Sequence, residues 1–145
     1  MYRDTVNRNS GSLRYNEVYF SGLITLAKSH PGLRCMFAWH ENVIAGSLIV
    51  GRHGRAAYYL HGGTNSDLKC HGPSDLLLHE AITWARQEGS ECFNLMTSSG
   101  EQSSLIRYKE KWGAITRQHK TYTYFLKPSL CLPFRILERL YGIMR

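Results

Sequence analysis

The spacing of apolar residues changes several times along the chain, and each change predicts a different element. Residues 16–30 place apolar side chains three and four positions apart, which is typical of a helix. Asn16 can cap the start of this helix, and Pro31 with Gly32 ends it. The polar, basic segment before it, residues 1–15, predicts a short helix followed by a Gly-Ser turn.

The period then shortens to that of a β-sheet. Three runs rich in β-branched and aromatic residues follow one another: residues 33–40, 43–51 and 55–61. The turns between them are Glu41–Asn42 and His53–Gly54, and turns this short join only antiparallel neighbours, so a meander is predicted. Gly46 lies inside the second strand and indicates a bulge or a close approach of other atoms to the backbone.

Helices and strands alternate in the second half. The predicted elements are a helix over residues 73–88, a buried strand over 91–97, a helix over 103–113, a strand over 115–127 and a terminal amphipathic helix over 133–145. The first of these helices has a buried stripe at Leu77, Ala81, Trp84 and Ala85, and Gly89 is a natural stop. A strand that follows a helix can join the existing sheet in parallel.

These elements predict the fold class and the domain organisation. The chain is expected to be mixed α/β (α+β), with an antiparallel meander followed by β-α-β-α-β and a C-terminal amphipathic helix. A single domain is predicted over residues 1–127, and residues 128–145 are predicted to pack on that domain or on a partner. Where a sheet changes from antiparallel to parallel, strand ends open a crevice in which ligands bind.

Charge and cysteine usage narrow the class of protein. The 145 residues carry a net charge of +7, which favours an anionic partner such as nucleic acid, a nucleotide cofactor or a lipid surface. The four cysteines are widely spaced and contain no C-x-x-C pair, so a reduced, cytoplasmic protein is predicted and no metal site is expected. No apolar run approaches the roughly 20 residues that a membrane span needs.

The start of the helix at residue 73 is a candidate anion site. Its pattern is Lys69-x-x-Gly72-Pro73-Ser74. Pro73 suits the first helical position, Gly72 lets a ligand approach the backbone, and the first amides with the helix dipole attract negative charge. Lys69 adds a positive charge nearby. The same pattern also fits an ordinary structural helix start, and the residues alone leave both interpretations open.

The succession of motifs resembles the GNAT superfamily of N-acyltransferases. Within it, the chain is most similar to the GNAT-like domain of Fem-type proteins, the peptidoglycan-bridge aminoacyltransferases and their relatives. The resemblance depends on Gly62-Gly63 after the third strand, on the Gly-Pro-Ser helix start, and on the run Tyr108-Lys109-x-x-Trp112-Gly113. It implies a donor, acyl-CoA (acetyl-CoA) or aminoacyl-tRNA, held by Lys69, Gly72, Pro73, Ser74, Gly62 and Gly63.

The resemblance also implies acyl transfer to an amine and catalytic roles for two residues. Lys109 is expected at the donor crevice, where it can stabilise an oxyanion or a phosphate, and Tyr108 lies near the position of a tyrosine that protonates the departing thiolate. Two departures stand out. The tyrosine-to-glycine spacing is one residue longer here, and Fem-type proteins carry two such domains, whereas this chain has the length of one.

The general base is left open by the sequence. Glu80, Glu101 and His61 are the alternatives, and each also fits a surface or capping role. The loop Ser98-Ser99-Gly100 offers hydroxyl groups at the end of a strand, although an ordinary loop has the same composition.

A non-catalytic binding module is the alternative function. Residues 107–120 carry five Lys or Arg residues and one acid, and with Trp112 they can contact RNA, so tRNA is a candidate partner. The terminal helix can form a homodimer or, less favoured, lie on a membrane surface through its apolar stripe: Leu130, Phe134, Leu137, Leu140, Tyr141 and Met144.

Overall fold

The computed structural model describes residues 2–8, 14–98, 102–120, 122 and 124–143. Among these residues the helices are α1 (Tyr2–Arg8), α2 (Glu17–Ser29), α3 (Pro73–Gln87), α4 (Ser103–Lys111) and α5 (Pro128–Ile143), with a 3-10 helix at Ser66–His71. The strands are β1 (Leu33–His40), β2 (Val43–His53), β3 (Ala56–Thr64) and β4 (Cys92–Asn94). The predicted mixed α/β class is confirmed.

The strands form one mixed sheet in the order β1-β2-β3-β4. The first three are antiparallel neighbours, as the short turns predicted, and β4 joins β3 in parallel from the Ala56–Cys92 pair onward. The first turn places Glu41 and Asn42 at φ values of 45° and 67°. Two consecutive residues with positive φ match the twist of a two-residue hairpin, and this explains the turn.

Each antiparallel pair contains a bulge. In β2, Ala45 is the extra residue, because Gly46 pairs with Ala38 and Ile44 with Trp39. In β3, Leu60 is the extra residue between Tyr59 and His61. A bulge bends its strand and re-aims the neighbouring side chains. The bulge predicted at Gly46 is therefore present one residue earlier.

The core lies between the sheet and α3. Its buried residues are Ala38, Leu48, Val50, Ala57, Leu77, Ala81, Trp84 and Ala85, which include the whole predicted stripe of α3. Gly46 lets the helix come close, since a Cβ there would lie 3.0 Å from Cδ1 of Leu77 and 3.1 Å from Cβ of Pro73. The close approach predicted at Gly46 is thus that of the first turns of α3.

Four of the differences from the sequence predictions concern where an element begins or ends, or which kind of element forms. β3 extends to Thr64, so Gly62 and Gly63 lie inside the strand and not after it. The segment before α3, for which no helix or strand was predicted, contains a 3-10 helix over Ser66–His71. β4 ends at Asn94, three residues short of the prediction, because the chain turns away there. α5 begins at Pro128, which is the start of the predicted C-terminal segment 128–145 and lies five residues before the amphipathic run 133–145.

The predicted last strand, residues 115–127, is wrong at every described position. Residues 115–120, 122, 124 and 125 are not in a strand, whereas Thr121 and Thr123 lie outside the described residues. Tyr122 and Tyr124 are more than four-fifths exposed. Alternating side chains predict a strand only if a neighbouring strand supplies the hydrogen bonds, and the pattern itself cannot show that partner.

The chain divides into two compact units, Met1–Ala114 and Ile115–Arg145. The first contains the sheet with α1 to α4. The second contains α5, in which Pro133 lies inside the helix and the guanidinium of Arg135 lies 5.5 Å from the ring centroid of Phe125. The domain boundary predicted at residue 127 stays a prediction. Among the described residues, none of the helices has both the length and the apolar character needed to cross a bilayer.

Candidate active site

The sheet opens where β3 and β4 separate. Only Ala56, Ala57 and Tyr58 of β3 pair with β4, and the chain leaves the ladder after Asn94. The departure is fixed locally, because the amide of Met96 donates a 2.7 Å hydrogen bond to Oδ1 of Asn94 and Met96 has a φ of 60°. Within the described residues, the rest of β3 therefore has no β4 partner along this edge, and an exposed strand edge can hydrogen-bond to an extended ligand.

The start of α3 lies at the end of β3. Ser74 Oγ and Thr64 Oγ1 are 2.6 Å apart, so a hydroxyl–hydroxyl bond joins the first turn of the helix to the last residue of the strand. Gly72 precedes the helix in the left-handed conformation, at φ 67° and ψ 33°. Only glycine adopts this conformation without strain, which explains the glycine that the sequence places here.

No side chain among the described residues caps the first turn of α3. The carbonyl of Gly72 accepts from the amides of Asp75 and Leu76, each at 3.1 Å, and Pro73 has no N–H to satisfy. The positive end of the helix is therefore not neutralised by a capping side chain. Lys69 is exposed in the 3-10 helix, and its carbonyl accepts from the amide of Gly72 at 3.1 Å.

The two glycines of β3 have different surroundings. Gly62 faces the side chain of Tyr59, and a Cβ at position 62 would overlap the phenol oxygen of that side chain. The absent side chain of Gly62 thus makes room for Tyr59, a packing reason that the sequence did not reveal. Gly63 pairs with Ser47 of β2. A role for either glycine in donor binding stays a prediction.

Lys109 reaches the opening from α4. Its ammonium donates a 2.9 Å hydrogen bond to the carbonyl oxygen of Met96. Burial lowers the pKa of Lys109 from its ordinary value of 10.5, because a charged group loses hydration inside a protein. Lys109 was expected at the donor crevice, and its catalytic role there stays a prediction.

Tyr108 lies in a polar group that the sequence only partly predicted. Its pKa is raised to about 12, chiefly by burial and then by the negative charge and hydrogen bonding of Asp75, whereas the neighbouring Trp112 acts in the opposite direction. Lys111 places its ammonium 3.7 Å from Oδ2 of Asp75. Asp75 was missed by the sequence reasoning, although an acid in the first turn of the candidate helix was a signal for it.

His61 lies on the other face of the sheet. His61 pairs with Ile49 of β2, whereas Tyr59 pairs with the next residue, Val50, which belongs to the core against α3. Because successive residues of β2 point to opposite faces, His61 faces away from α3. Nε2 of His61 is 2.8 Å from the hydroxyl of Tyr19 in α2. The predictions included His61 but not its aromatic surroundings, for which the aromatic residues around the start of α2 were the available signal.

The other candidates are less well placed. Glu80 is exposed on α3, and its carboxylate lies 3.5 Å from Nδ1 of His79. Glu101, Ser99 and Gly100 lie outside the described residues, and Ser98 has a buried hydroxyl without a hydrogen-bond partner in the part that is described. Within that part, no three His, Cys, Asp or Glu side chains are grouped as metal ligands.

Several solved structures share this fold. The chain is similar to a transcriptional regulator from Bacillus halodurans C-125, with a TM-score of 0.63 and 20% identity over 77% of this chain and 81% of the other. It is also similar to an aminoglycoside acetyltransferase from an uncultured soil metagenomic sample in complex with sisomicin, with a TM-score of 0.63 and 14% identity over 87% and 84%. An aminoglycoside N-acetyltransferase in complex with CoA gives a TM-score of 0.54 and 14% identity over 78% and 96%.

No curated protein matches the sequence. At these identities the solved structures establish a shared fold. The family model described as acetyltransferase (GNAT) domain matches residues 2–110, which span α1 to α4 and the whole sheet. The chain therefore belongs to the GNAT acetyltransferase domain family.

Proposed function

We propose that this chain is an N-acyltransferase that moves an acetyl group from acetyl-CoA to an amine. The observation that carries the proposal is the opening between β3 and the segment after Asn94, with Lys109 at its edge. The uncapped start of α3 is joined to the same strand through Ser74 and Thr64. The proposed phosphate-binding site and the proposed groove for the extended pantetheine arm are thus adjacent.

The donor would be held by main-chain groups. The amide of Ser74, which is the first N–H of α3, and the ammonium of Lys69 would supply positive charge for the diphosphate of CoA. The edge of β3 from Tyr59 to Thr64, which lacks a β4 partner in the described part of the chain, would offer amides and carbonyls to the amide-containing pantetheine arm. These features fit a CoA thioester because it combines a diphosphate with an extended arm that can hydrogen-bond to a strand.

The chemistry needs a stabilised oxyanion and a protonated leaving group. The amine nitrogen attacks the thioester carbonyl, the carbon–sulfur bond breaks, and the CoA thiolate takes up a proton. Lys109 uses one N–H on Met96, and its other N–H groups can stabilise negative charge. Tyr108, with its pKa raised to about 12, keeps its proton at neutral pH and can donate a hydrogen bond to the departing sulfur.

The acceptor class is proposed from the family. One similar structure is an aminoglycoside acetyltransferase holding sisomicin, so sisomicin is a reasonable first acceptor to test. An aminoacyl-tRNA donor and a Fem-type relationship stay predictions, as do a homodimer, a membrane-surface contact and a cytoplasmic location.

The donor site is tested by isothermal titration with CoA. The wild-type chain is expected to bind CoA, and Lys69→Ala to bind it more weakly because one positive charge beside the phosphates is lost. Lys28→Ala is the matched control, since Lys28 lies in the last turn of α2. Absence of heat for CoA and for acetyl-CoA would contradict the proposed donor, and binding of charged tRNA instead would favour the aminoacyl-tRNA alternative.

The alternative of a non-catalytic binding module predicts a different result. Such a module would release no free CoA when acetyl-CoA is incubated with sisomicin, spermidine or tyramine. Thiol release that requires both the amine and the protein would support the transferase. Binding of RNA with an affinity that falls steeply with salt, and without transfer, would support the module.

A further inference from the structure

A cluster of aromatic rings surrounds His61 on the face of the sheet that is remote from α3. The ring centroid of His61 lies 5.0 Å from Tyr15, 5.4 Å from Tyr19 and 5.4 Å from Phe20, each in an edge-to-face arrangement. Tyr15 and Tyr19 stack at 4.3 Å, and Tyr2 of α1 lies 4.9 Å from Phe20. This group is defined as the His61 cluster.

The His61 cluster lies beside the opening of the sheet. His61 belongs to the part of β3 that has no β4 partner, and the same stretch of strand ends at the start of α3. The donor-binding elements α3 and α4 are on one side of this strand. Tyr19 of α2 is 37% exposed and contacts His61 of this strand, so an acceptor bound on the α2 side of the strand can contact its hydroxyl.

We propose that Tyr19 and His61 together accept the proton of the incoming amine, with the Tyr19 hydroxyl in contact with the acceptor and His61 behind it. This inference rests on the proposed function and adds the acceptor side to it. The 2.8 Å distance between the Tyr19 hydroxyl and Nε2 of His61 is that of a direct hydrogen bond. Tyr19 is the catalytic residue in this scheme, and His61 is a positioning residue that acts through it.

The proton transfer is balanced. The amine nitrogen forms its bond to the thioester carbonyl and gives one proton to the Tyr19 oxygen. The proton of the Tyr19 hydroxyl passes at the same time to Nε2 of His61, which becomes imidazolium. Tyr19 ends neutral, and the positive charge ends on His61, from which it is lost to solvent after the amide product leaves.

The protonation states at neutral pH suit this role. Burial lowers the pKa of His61 from its ordinary value of 6.5, so the ring is neutral and can accept a proton. Burial, followed by the charges of Tyr15 and Tyr2, raises the pKa of Tyr19, so its hydroxyl keeps the proton that it passes on. The titratable groups on the elements packed here are Tyr15 and Tyr19 from the α2 side and Tyr2 and Asp4 from α1.

The His61 cluster also indicates the chemical class of the acceptor. Electron-rich rings attract cations, and Tyr15 and Tyr19 are 40% and 37% exposed. An ammonium group can therefore rest on these rings and lose one proton to solvent there, after which the neutral amine attacks and its second proton passes to Tyr19. The acceptor is inferred to be a cationic amine and not a neutral alcohol.

The test compares pH profiles of kcat/KM for acetyl-CoA with the best acceptor among sisomicin, spermidine and tyramine. For the wild type, kcat/KM is expected to rise with pH through a limb below 6.5, as His61 becomes neutral. Tyr19→Phe should lower kcat/KM on the order of 10²-fold and remove this limb, as should His61→Gln. Tyr122→Phe, which removes a tyrosine hydroxyl outside the His61 cluster from a side chain that is 84% exposed, should retain both the rate and the limb.

Titration with CoA separates this inference from the proposed function. Tyr19→Phe and His61→Gln should bind CoA as the wild type does, since the proposed donor contacts are Lys69 and main-chain groups, and neither variant removes any of them. Unchanged kcat/KM in Tyr19→Phe, or an acidic limb that persists in His61→Gln, would overturn the inference. Neither result would contradict the proposed transferase function. A wild type that binds CoA but acetylates none of the amines would overturn both the inference and the transfer, and one that fails to bind CoA would overturn the proposed donor as well.

Discussion

The ammonium of Lys109 donates a 2.9 Å hydrogen bond to the carbonyl oxygen of Met96, and this bond joins α4 to the segment that leaves the sheet. Met96 has a φ of 60°, a conformation that costs a residue other than glycine roughly 1 kcal/mol or more. The carbonyl of Met96 accepts a hydrogen bond from Lys109, and its amide donates one to Oδ1 of Asn94. These two hydrogen bonds offset the cost of the backbone conformation. The shape of the opening and its positive charge therefore depend on the same lysine.

The first prediction concerns this lysine. Lys109→Met keeps the length of the side chain but removes its charge and its donor, so kcat/KM is expected to fall on the order of 10²-fold. Lys109→Arg, which keeps the charge, should recover part of the loss. The measurement is the release of free CoA from acetyl-CoA in the presence of the best amine acceptor.

Arg107→Met is the matched control for Lys109, because Arg107 precedes it by two residues in α4 and is exposed. Its kcat/KM should stay close to that of the wild type. Equal losses in both variants would show that the general positive charge of α4 matters, and not the contact with Met96.

The second prediction concerns the packing of Tyr59 on Gly62. Gly62→Ala is expected to lower the free energy of unfolding by roughly 1–3 kcal/mol, because a Cβ would overlap the phenol of Tyr59 and force the ring or the strand to move. Adding Tyr59→Phe removes the closest atom and should recover part of this loss. Urea unfolding followed by tryptophan fluorescence gives the free energies.

Gly22→Ala is the control for Gly62→Ala. Gly22 lies in α2 with open space around it, so alanine there is expected to raise the free energy of unfolding by about 0.5–1 kcal/mol. If Gly62→Ala were equally harmless, the close contact with Tyr59 would not restrict this position.

The third prediction concerns the bond between Ser74 and Thr64. Both Ser74→Ala and Thr64→Val are expected to lower the free energy of unfolding, since Thr64 is 9% exposed and the bond fixes the start of α3 on β3. The double variant should show a coupling energy of about 0.5–1.5 kcal/mol between the two positions. Strictly additive losses in denaturant unfolding would mean that the hydroxyls do not stabilise each other.

The sequence predicted the elements of the sheet well where local pattern decides them. The turn at Glu41–Asn42, the stripe of α3 and the glycine before Pro73 were all predicted, because turn chemistry, helical period and capping are local properties. The strand at residues 115–127 was wrong, because a strand also requires a partner that alternation cannot reveal. The short β4 was missed for a similar reason, since its end depends on the hydrogen bond between Asn94 and Met96.

The candidate site was predicted less completely than the fold. Lys109 and Tyr108 were found through the resemblance, and their charge and hydroxyl groups suit the proposed chemistry. Asp75 and Tyr19 were not found, because their importance comes from contacts between residues far apart in the sequence. Asp75 contacts α4, and Tyr19 contacts β3. A pattern within one element does not contain such contacts.

The fourth prediction concerns stability at alkaline pH. The ordinary pKa of tyrosine is 10.0, and that of Tyr108 in the folded chain is raised to about 12. Below pH 10 both the folded and the unfolded chain keep this proton, so the contribution to stability is fully present. Between pH 10 and about 12 only the folded chain keeps it, so the free energy of unfolding must fall as pH rises.

Tyr108→Phe removes this contribution, and its free energy of unfolding should therefore fall less steeply than that of the wild type between about pH 10 and about pH 12. Tyr122→Phe serves as the control, because Tyr122 is 84% exposed. Denaturant unfolding at a series of alkaline pH values measures the slopes. A Tyr108→Phe slope equal to that of the wild type would show that burial and Asp75 do not hold the proton on Tyr108.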